Sequence, residues 1–142
     1  MPDDFSIQFD VRGDPEAYQV VRTGLDTYNL NFIPSVEHTP LNLYVRAHDG
    51  TVLGGLLGGT IWGWLYVEIL WLAEPLRGHG LGSCLLAQAE AEAVRRGCLL
   101  ARLDTIDFQA LPFYQKHGYV IFGVLEDWPI GHRSFSLRKN LA

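Results

Sequence analysis

The stretch from Leu65 to Gly97 constrains this chain most: an apolar run, then Arg77-Gly78-His79-Gly80-Leu81-Gly82, then an amphipathic pattern. The order predicts strand, tight glycine turn, helix. Leu81, Leu85, Leu86, Ala89 and Ala93 keep helical spacing with Gln88, Glu92, Arg95 and Arg96 opposite, and Gly97 reads as the C-terminal cap. A glycine turn feeding a helix leaves backbone N–H groups without partners at the positive end of the helix dipole, which makes a ready anion site. The apolar stretch Cys98 to Leu103 follows as a strand. Strand-helix-strand wiring sets it parallel to the strand Trp64 to Leu72.

Around this unit the chain reads as an α/β (α+β) fold. Ser6 to Val11 alternates polar and apolar residues, which predicts a half-buried first strand ended by Gly13 and Asp14. Asp14 reads as an N-cap with Pro15 at the first helical position of a helix running to about Leu30. Asn31 to Leu41 carries Pro34, Ser35, Thr39 and Pro40 without a period and reads as a loop. Two β-type runs, Leu43 to Ala47 and Thr51 to Thr60, flank Asp49-Gly50, a hairpin signal because both central residues favour positive φ. Gly54, Gly55, Gly58 and Gly59 in the second run point to bulges or close backbone approach. A turn at Trp62-Gly63 leads into Trp64 to Leu72. A helix from about Gln109 to His117, ended by Gly118, precedes a last hairpin of Tyr119 to Leu125 and Ser134 to Leu137. The predicted order is β-α-β-β-β-α-β-α-β-β, a mixed sheet that is mostly antiparallel with one central parallel pair splayed at one end, in one domain over residues 1–142.

Composition removes several classes. A length of 142 residues suits one core, and the apolar stretch Leu53 to Ala73 is interrupted by glycines and Glu68, unlike a membrane span. Asp3 and Asp4 occupy a start with no basic or apolar leader, which predicts a cytoplasmic protein. A net charge of −5 argues against nucleic-acid binding and suits a cationic partner. Cys84 and Cys98 form no framework, and the histidines share no metal-ligand spacing, so no metal is expected. Exposed aromatic strands make a homodimer an expectation.

The glycine loop admits several ligands. Gly78-His79-Gly80 begins a dinucleotide fingerprint, but Ser83 stands where its third glycine belongs and the preceding hairpin is no doubly wound unit. A nicotinamide oxidoreductase is therefore a distant alternative. No Lys-Ser or Lys-Thr follows the glycines, which excludes a P-loop.

Arg77, Gly80 and Gly82 match, in order and spacing, the signature of the GNAT superfamily of N-acetyltransferases, and the chain resembles that superfamily further on. Leu70-Trp71-Leu72 before the loop, the helix and strand after it, and Phe113-Tyr114 with Gly118-Tyr119 stand where the family has its matching elements. Phe108-Gln109-Ala110, Glu126-Asp127 and Gly131-His132 look like one bacterial subgroup. The resemblance runs from about Trp64 to Lys139 and is topological before that. It implies an acetyl-CoA-dependent N-acetyltransferase that moves an acetyl group to an amine acceptor by direct transfer in a ternary complex. A non-catalytic acyl-CoA-binding module is the alternative within the same fold.

By this resemblance the loop and first helical turn, Arg77, Gly78, His79, Gly80, Leu81, Gly82 and Ser83, hold the cofactor pyrophosphate, as an amide nest does. Arg77 adds a charged donor or is solvated at the loop edge. Leu70 and Leu72 meet the pantetheine arm through their backbone, with a backbone amide near Leu72 facing the oxyanion. Tyr114 donates to the departing thiolate. Asp107 stands where much of the family has an asparagine contacting the cofactor arm. Glu68, the only acid between Gly50 and Glu74, sits in an apolar run, where a buried carboxylate needs a partner or a use. It is either the base for the substrate ammonium, directly or through water, or a partnered carboxylate on an exposed or dimer face. The acceptor side is expected to be shaped by Leu30 to Pro40 and by Glu126 to Arg133, where Trp128 can wall a pocket.

Overall fold

The structure, a computed structural model, describes residues 4–142, so Asp3 lies outside it. Backbone proximity divides the chain into two units, Met1–Val36 and Glu37–Ala142. The first holds helix α1, Pro15–Asn29, which starts as its sequence predicts. The Asp14 carboxylate accepts from the amides of Glu16 and Ala17, and proline occupies the first turn. The expected strand at Ser6 to Val11 is not formed. Alternation alone makes no strand without a ladder partner, and the Asp10 carboxylate instead gathers the amides of Arg12, Gly13 and Asp14 into a turn.

The second unit is built on six strands: β1 Thr39–Arg46, β2 Val52–Ile61, β3 Trp64–Leu72, β4 Leu100–Ile106, β5 Val120–Glu126 and β6 Arg133–Asn140. Their order across the sheet is β1-β2-β3-β4-β6-β5, antiparallel except for the central pair β3 and β4. Helix α2, Leu81–Arg95, connects that pair, and α3, Leu111–Lys116, follows β4. β1 begins inside the segment read as a loop, because Leu41 is buried and Pro40 tolerates an edge strand. β4 likewise continues past Asp104, whose carboxylate accepts from the Ser136 hydroxyl on the neighbouring strand.

The turns follow local chemistry with one difference. Trp62 and Gly63 both adopt positive φ, as a two-residue hairpin turn requires. At Asp49-Gly50 only the glycine does, and Ala47 N–H donates to the Thr51 carbonyl. This is a three-residue loop with glycine in the left-handed position. The β2 glycines are required by crowding: a Cβ on Gly55 would lie 2.3 Å from the Leu43 carbonyl oxygen, and one on Gly58 2.2 Å from that of Tyr66.

The core lies between the sheet and α2. Leu85, Leu86, Ala89 and Ala93 on the helix meet Leu56, Leu65, Val67, Ala101, Leu103 and Leu137, all buried. The face read from periodicity is the face that packs. Polar contacts fix the C-terminal half of the helix. Arg96 donates to the carbonyls of Thr39 and Pro40 and to the Thr60 hydroxyl. Glu90 accepts from the buried Tyr119 hydroxyl and from Lys139.

Candidate active site

The site begins where β3 and β4 part. Their parallel pairing ends at Val67 opposite Leu103, although β3 runs on to Leu72 and β4 to Ile106. The expected splay is therefore present. Ala73 N–H donates to the Leu53 carbonyl, which fixes the parity of the β2–β3 ladder. The pairs Gly54–Leu72 and Leu56–Leu70 are then the non-hydrogen-bonded kind, and the N–H and C=O groups of Leu70 and Leu72 point away from β2 into the fork. Their side chains pack against the core. An extended ligand thus finds a free strand edge there.

Arg77 changes what that edge offers. Its Nε donates to the Leu72 carbonyl at 2.9 Å, so the guanidinium is neither free at the loop edge nor wholly committed to a ligand. With the carbonyl occupied, the Leu72 N–H is the group left open.

Beyond a short 3-10 turn at Glu74–Leu76, the loop enters α2 through Gly78 and Gly80, both left-handed with φ of +78° and +82°. Gly80 is the N-cap and has no side chain to cap with. The first intrahelical bond runs from Cys84 N–H to the Gly80 carbonyl, so the amides of Leu81, Gly82 and Ser83 precede it. Helix α1 spends a carboxylate on these positions, whereas α2 leaves them bare. Gly82 lies in the first helical turn, where a Cβ would make an ordinary contact with the Phe113 ring at 3.4 Å. Ser83 Oγ lies 2.9 Å from Nε2 of His117, whose ring packs on Phe113. His79 sits exposed between the two left-handed glycines.

Tyr114 is buried in α3 against Phe113 and Tyr119. Burial pushes its phenol pKa up, which keeps the proton on at neutral pH. Among the described residues its hydroxyl has no hydrogen-bond partner and is not sealed from solvent. A buried ring with an unspent, reachable hydroxyl is poised to donate.

Glu68 is exposed and not buried in the apolar run around it. It is the extra residue of a bulge: Leu57 pairs with Ile69 and Gly58 with Val67, so Glu68 has no opposite number on β2. It is also the first β3 residue past the last rung to β4. No hydrogen bond or ion pair engages it among the described residues.

Asp107 lies just past the end of β4 and is engaged inside the chain through both oxygens. Oδ2 accepts from Arg133 N–H at 2.9 Å, and Oδ1 lies 2.8 Å from His132 Nδ1. The Arg133 amide is the chief reason its carboxyl pKa lies below the ordinary range, with His132 second. The sequence gives His132 no role beyond its place in the subgroup resemblance, since a partner 25 residues away leaves no spacing to read.

A family model described as the acetyltransferase (GNAT) family matches residues 9–119. The chain belongs to that family. An acetyltransferase of Agrobacterium fabrum is 42% identical over 112 residues, covering 79% of this chain and 82% of its own. A blasticidin-S acetyltransferase of Streptomyces morookaense is also 42% identical over 112 residues, covering 76% and 82%. Among solved structures, a candidate acetyltransferase of Agrobacterium tumefaciens superposes with a TM-score of 0.89 at 37% identity, covering 96% of this chain and 99% of its own. An acetyltransferase of Bacillus cereus gives 0.81 at 32% identity over 94% and 97%.

GNAT acetyltransferases use acetyl-CoA as donor. The residues of this acetyltransferase fit that molecule on their own geometry. The free β3 edge offers backbone groups to an amide-bearing arm, and the bare amides of α2 suit a pyrophosphate. Among the described residues no group of His, Cys, Asp and Glu is arranged to hold a metal, and no helix is long and apolar enough to cross a membrane.

Proposed function

We propose that this acetyltransferase, as one domain over residues 1–142, moves an acetyl group directly from acetyl-CoA to a primary amine in a ternary complex. The observation that carries the reading is the continuity of the open β3 edge at Leu70 and Leu72 with the uncapped start of α2. Acetyl-CoA supplies the acetyl group as a thioester and leaves as a thiol.

Leu70 would hold the pantetheine arm through its backbone. The amides of Leu81, Gly82 and Ser83, with Gly78, Gly80 and His79 shaping the loop, would hold the pyrophosphate. The Leu72 N–H, left open because Arg77 takes the carbonyl, would face the oxygen that gains charge during transfer. Arg77 keeps guanidinium nitrogens for a phosphate. Tyr114 would give its proton to the sulfur. Glu68, at the mouth of the fork, would draw the acceptor's ammonium group. Asp107 would support the site through the hairpin it holds, and each of its oxygens, accepting one hydrogen bond, keeps a lone pair for the cofactor arm.

The acceptor class follows from charge and kinship. Glu68 and a net charge of −5 favour a cationic amine. The relative named for blasticidin S makes that compound the first acceptor to assay. Titration calorimetry with acetyl-CoA and a thiol assay of coenzyme release over amines and peptides test the proposal together. Absence of binding at millimolar acetyl-CoA overturns it. Binding without release to any amine replaces catalysis with an acyl-CoA-binding role.

A further inference from the structure

We propose that His132, oriented by Asp107, is the base that takes the acceptor's proton. This rests on the acyl-transfer reading above and gives that site a catalytic residue from the last hairpin.

The first ground is the tautomer. A carboxylate only accepts hydrogen bonds, so the 2.8 Å contact between Asp107 Oδ1 and His132 Nδ1 places the ring proton on Nδ1. In the neutral ring Nε2 then presents its lone pair outward, and among the described residues it has no partner. The ring is held on a second side by Phe108, edge-on at 4.9 Å between centroids. Asp107 is itself held by Arg133 N–H and by its own N–H donating to the Arg133 carbonyl. An imidazole locked in one tautomer by a fixed carboxylate, with the other nitrogen open, is the geometry of a general base.

The second ground is place. Asp107 directly follows β4, and Ile106 pairs with Ser134, so His132 lies beyond the end of β4 at which β3 and β4 separate. The helix α2 that receives the anion starts from the same end of β3. The remaining charges on the adjoining loops are Glu126, Asp127 and Arg133, and Glu126 is paired with Arg133. The dyad is the histidine-carboxylate contact among them.

The step balances. His132 Nε2 takes one proton from the acceptor ammonium, which frees the nitrogen lone pair. That pair forms the C–N bond as the C–S bond breaks, and the sulfur receives the Tyr114 proton. The second proton lost by nitrogen restores the phenol, and the imidazolium returns its proton to water. Glu68 keeps the charge-attracting role and passes the proton-accepting one to His132.

The decisive experiment needs two readouts. Nitrogen-15 NMR of the wild-type chain should show His132 as the Nδ1–H tautomer, with Asp107→Asn allowing the other tautomer; an Nε2–H ring in the wild type overturns the proposal. Steady-state rates of wild type and His132→Gln are then compared across pH with acetyl-CoA and the fastest of a panel of primary amines that includes blasticidin S. Acetyl-CoA binding without turnover of any amine overturns the dyad together with the acyl-transfer reading. At neutral pH the variant should be slower by about a hundredfold, with acetyl-CoA affinity unchanged. The gap should close as pH rises, because the variant uses only amine that has already lost its proton. Equal rates at neutral pH, or a gap constant with pH, overturn the dyad. Wild type that fails to bind acetyl-CoA overturns the proposed function itself.

Discussion

Two buried tyrosines five residues apart have different uses. The Tyr119 hydroxyl donates to Glu90, whereas the Tyr114 hydroxyl is unspent. Replacing Tyr114 by Phe should leave acetyl-CoA affinity intact and slow turnover by about tenfold or more, read by calorimetry and coenzyme release. Burial raises both phenol pKa values, with the Glu90 charge adding to the effect at Tyr119. Their neutral forms therefore stabilise the fold fully below the ordinary phenol range near about 10, and that contribution is lost as pH rises past it. Absorbance titration of the six tyrosines should show a late fraction that ionises together with unfolding. The loop glycines also divide by role. Gly80 needs its left-handed φ, whereas Gly82 has neither a positive φ nor a clash awaiting a Cβ, a distinction the hexapeptide does not reveal because the residue type is the same.

At the level of elements, α2 and its loop were legible because a helix start, a glycine turn and a cap are local events. β2 was legible for the same reason. Alanine at Gly58 would drive a Cβ to 2.2 Å from a backbone oxygen, and overpacking of this kind should cost about 1–3 kcal/mol, measurable as a lower urea midpoint. The β2 glycines pointed to a bulge, but that its extra residue is Glu68 on β3 was not legible, since a bulge is a mismatch between two strands and its place is set only once they pair. Glu68→Gln should raise the KM of a cationic acceptor while leaving that of acetyl-CoA alone. The clamp between the β4 end and the last hairpin predicts acid sensitivity. The lowered Asp107 pKa contributes stability above the ordinary carboxylate range, and the contribution is lost as pH falls below it. Asp107→Asn should therefore flatten the acid limb of the melting temperature against pH.

Over the whole molecule, a net charge of −5 sets long-range behaviour that no single residue controls. Encounter with a cationic acceptor should slow as salt screens the field, with kcat/KM for such an acceptor falling between low and physiological ionic strength. Topology decides where the chemistry sits. One parallel pair in an otherwise antiparallel sheet can separate, because its strands are joined through a helix and not by a tight turn. The opening exposes strand edge at the end where that helix begins.

Sequence alone determined the helices, most strands, the uncapped glycine entry to α2, and the resemblance that the family match bears out. The elements rest on periodicity and turn chemistry, which act over a few residues, and the resemblance rests on the Arg77, Gly80 and Gly82 signature. It misjudged Ser6 to Val11, where alternation lacks a partner strand, and left open whether Glu68 is buried or exposed, which depends on the neighbouring strand. Only the tertiary structure decided that the groups of Leu70 and Leu72 face the fork, that Arg77 folds back on Leu72, and that Asp107 meets His132. Each of these depends on register or on contact between distant segments, and such information appears only when the strands are in place.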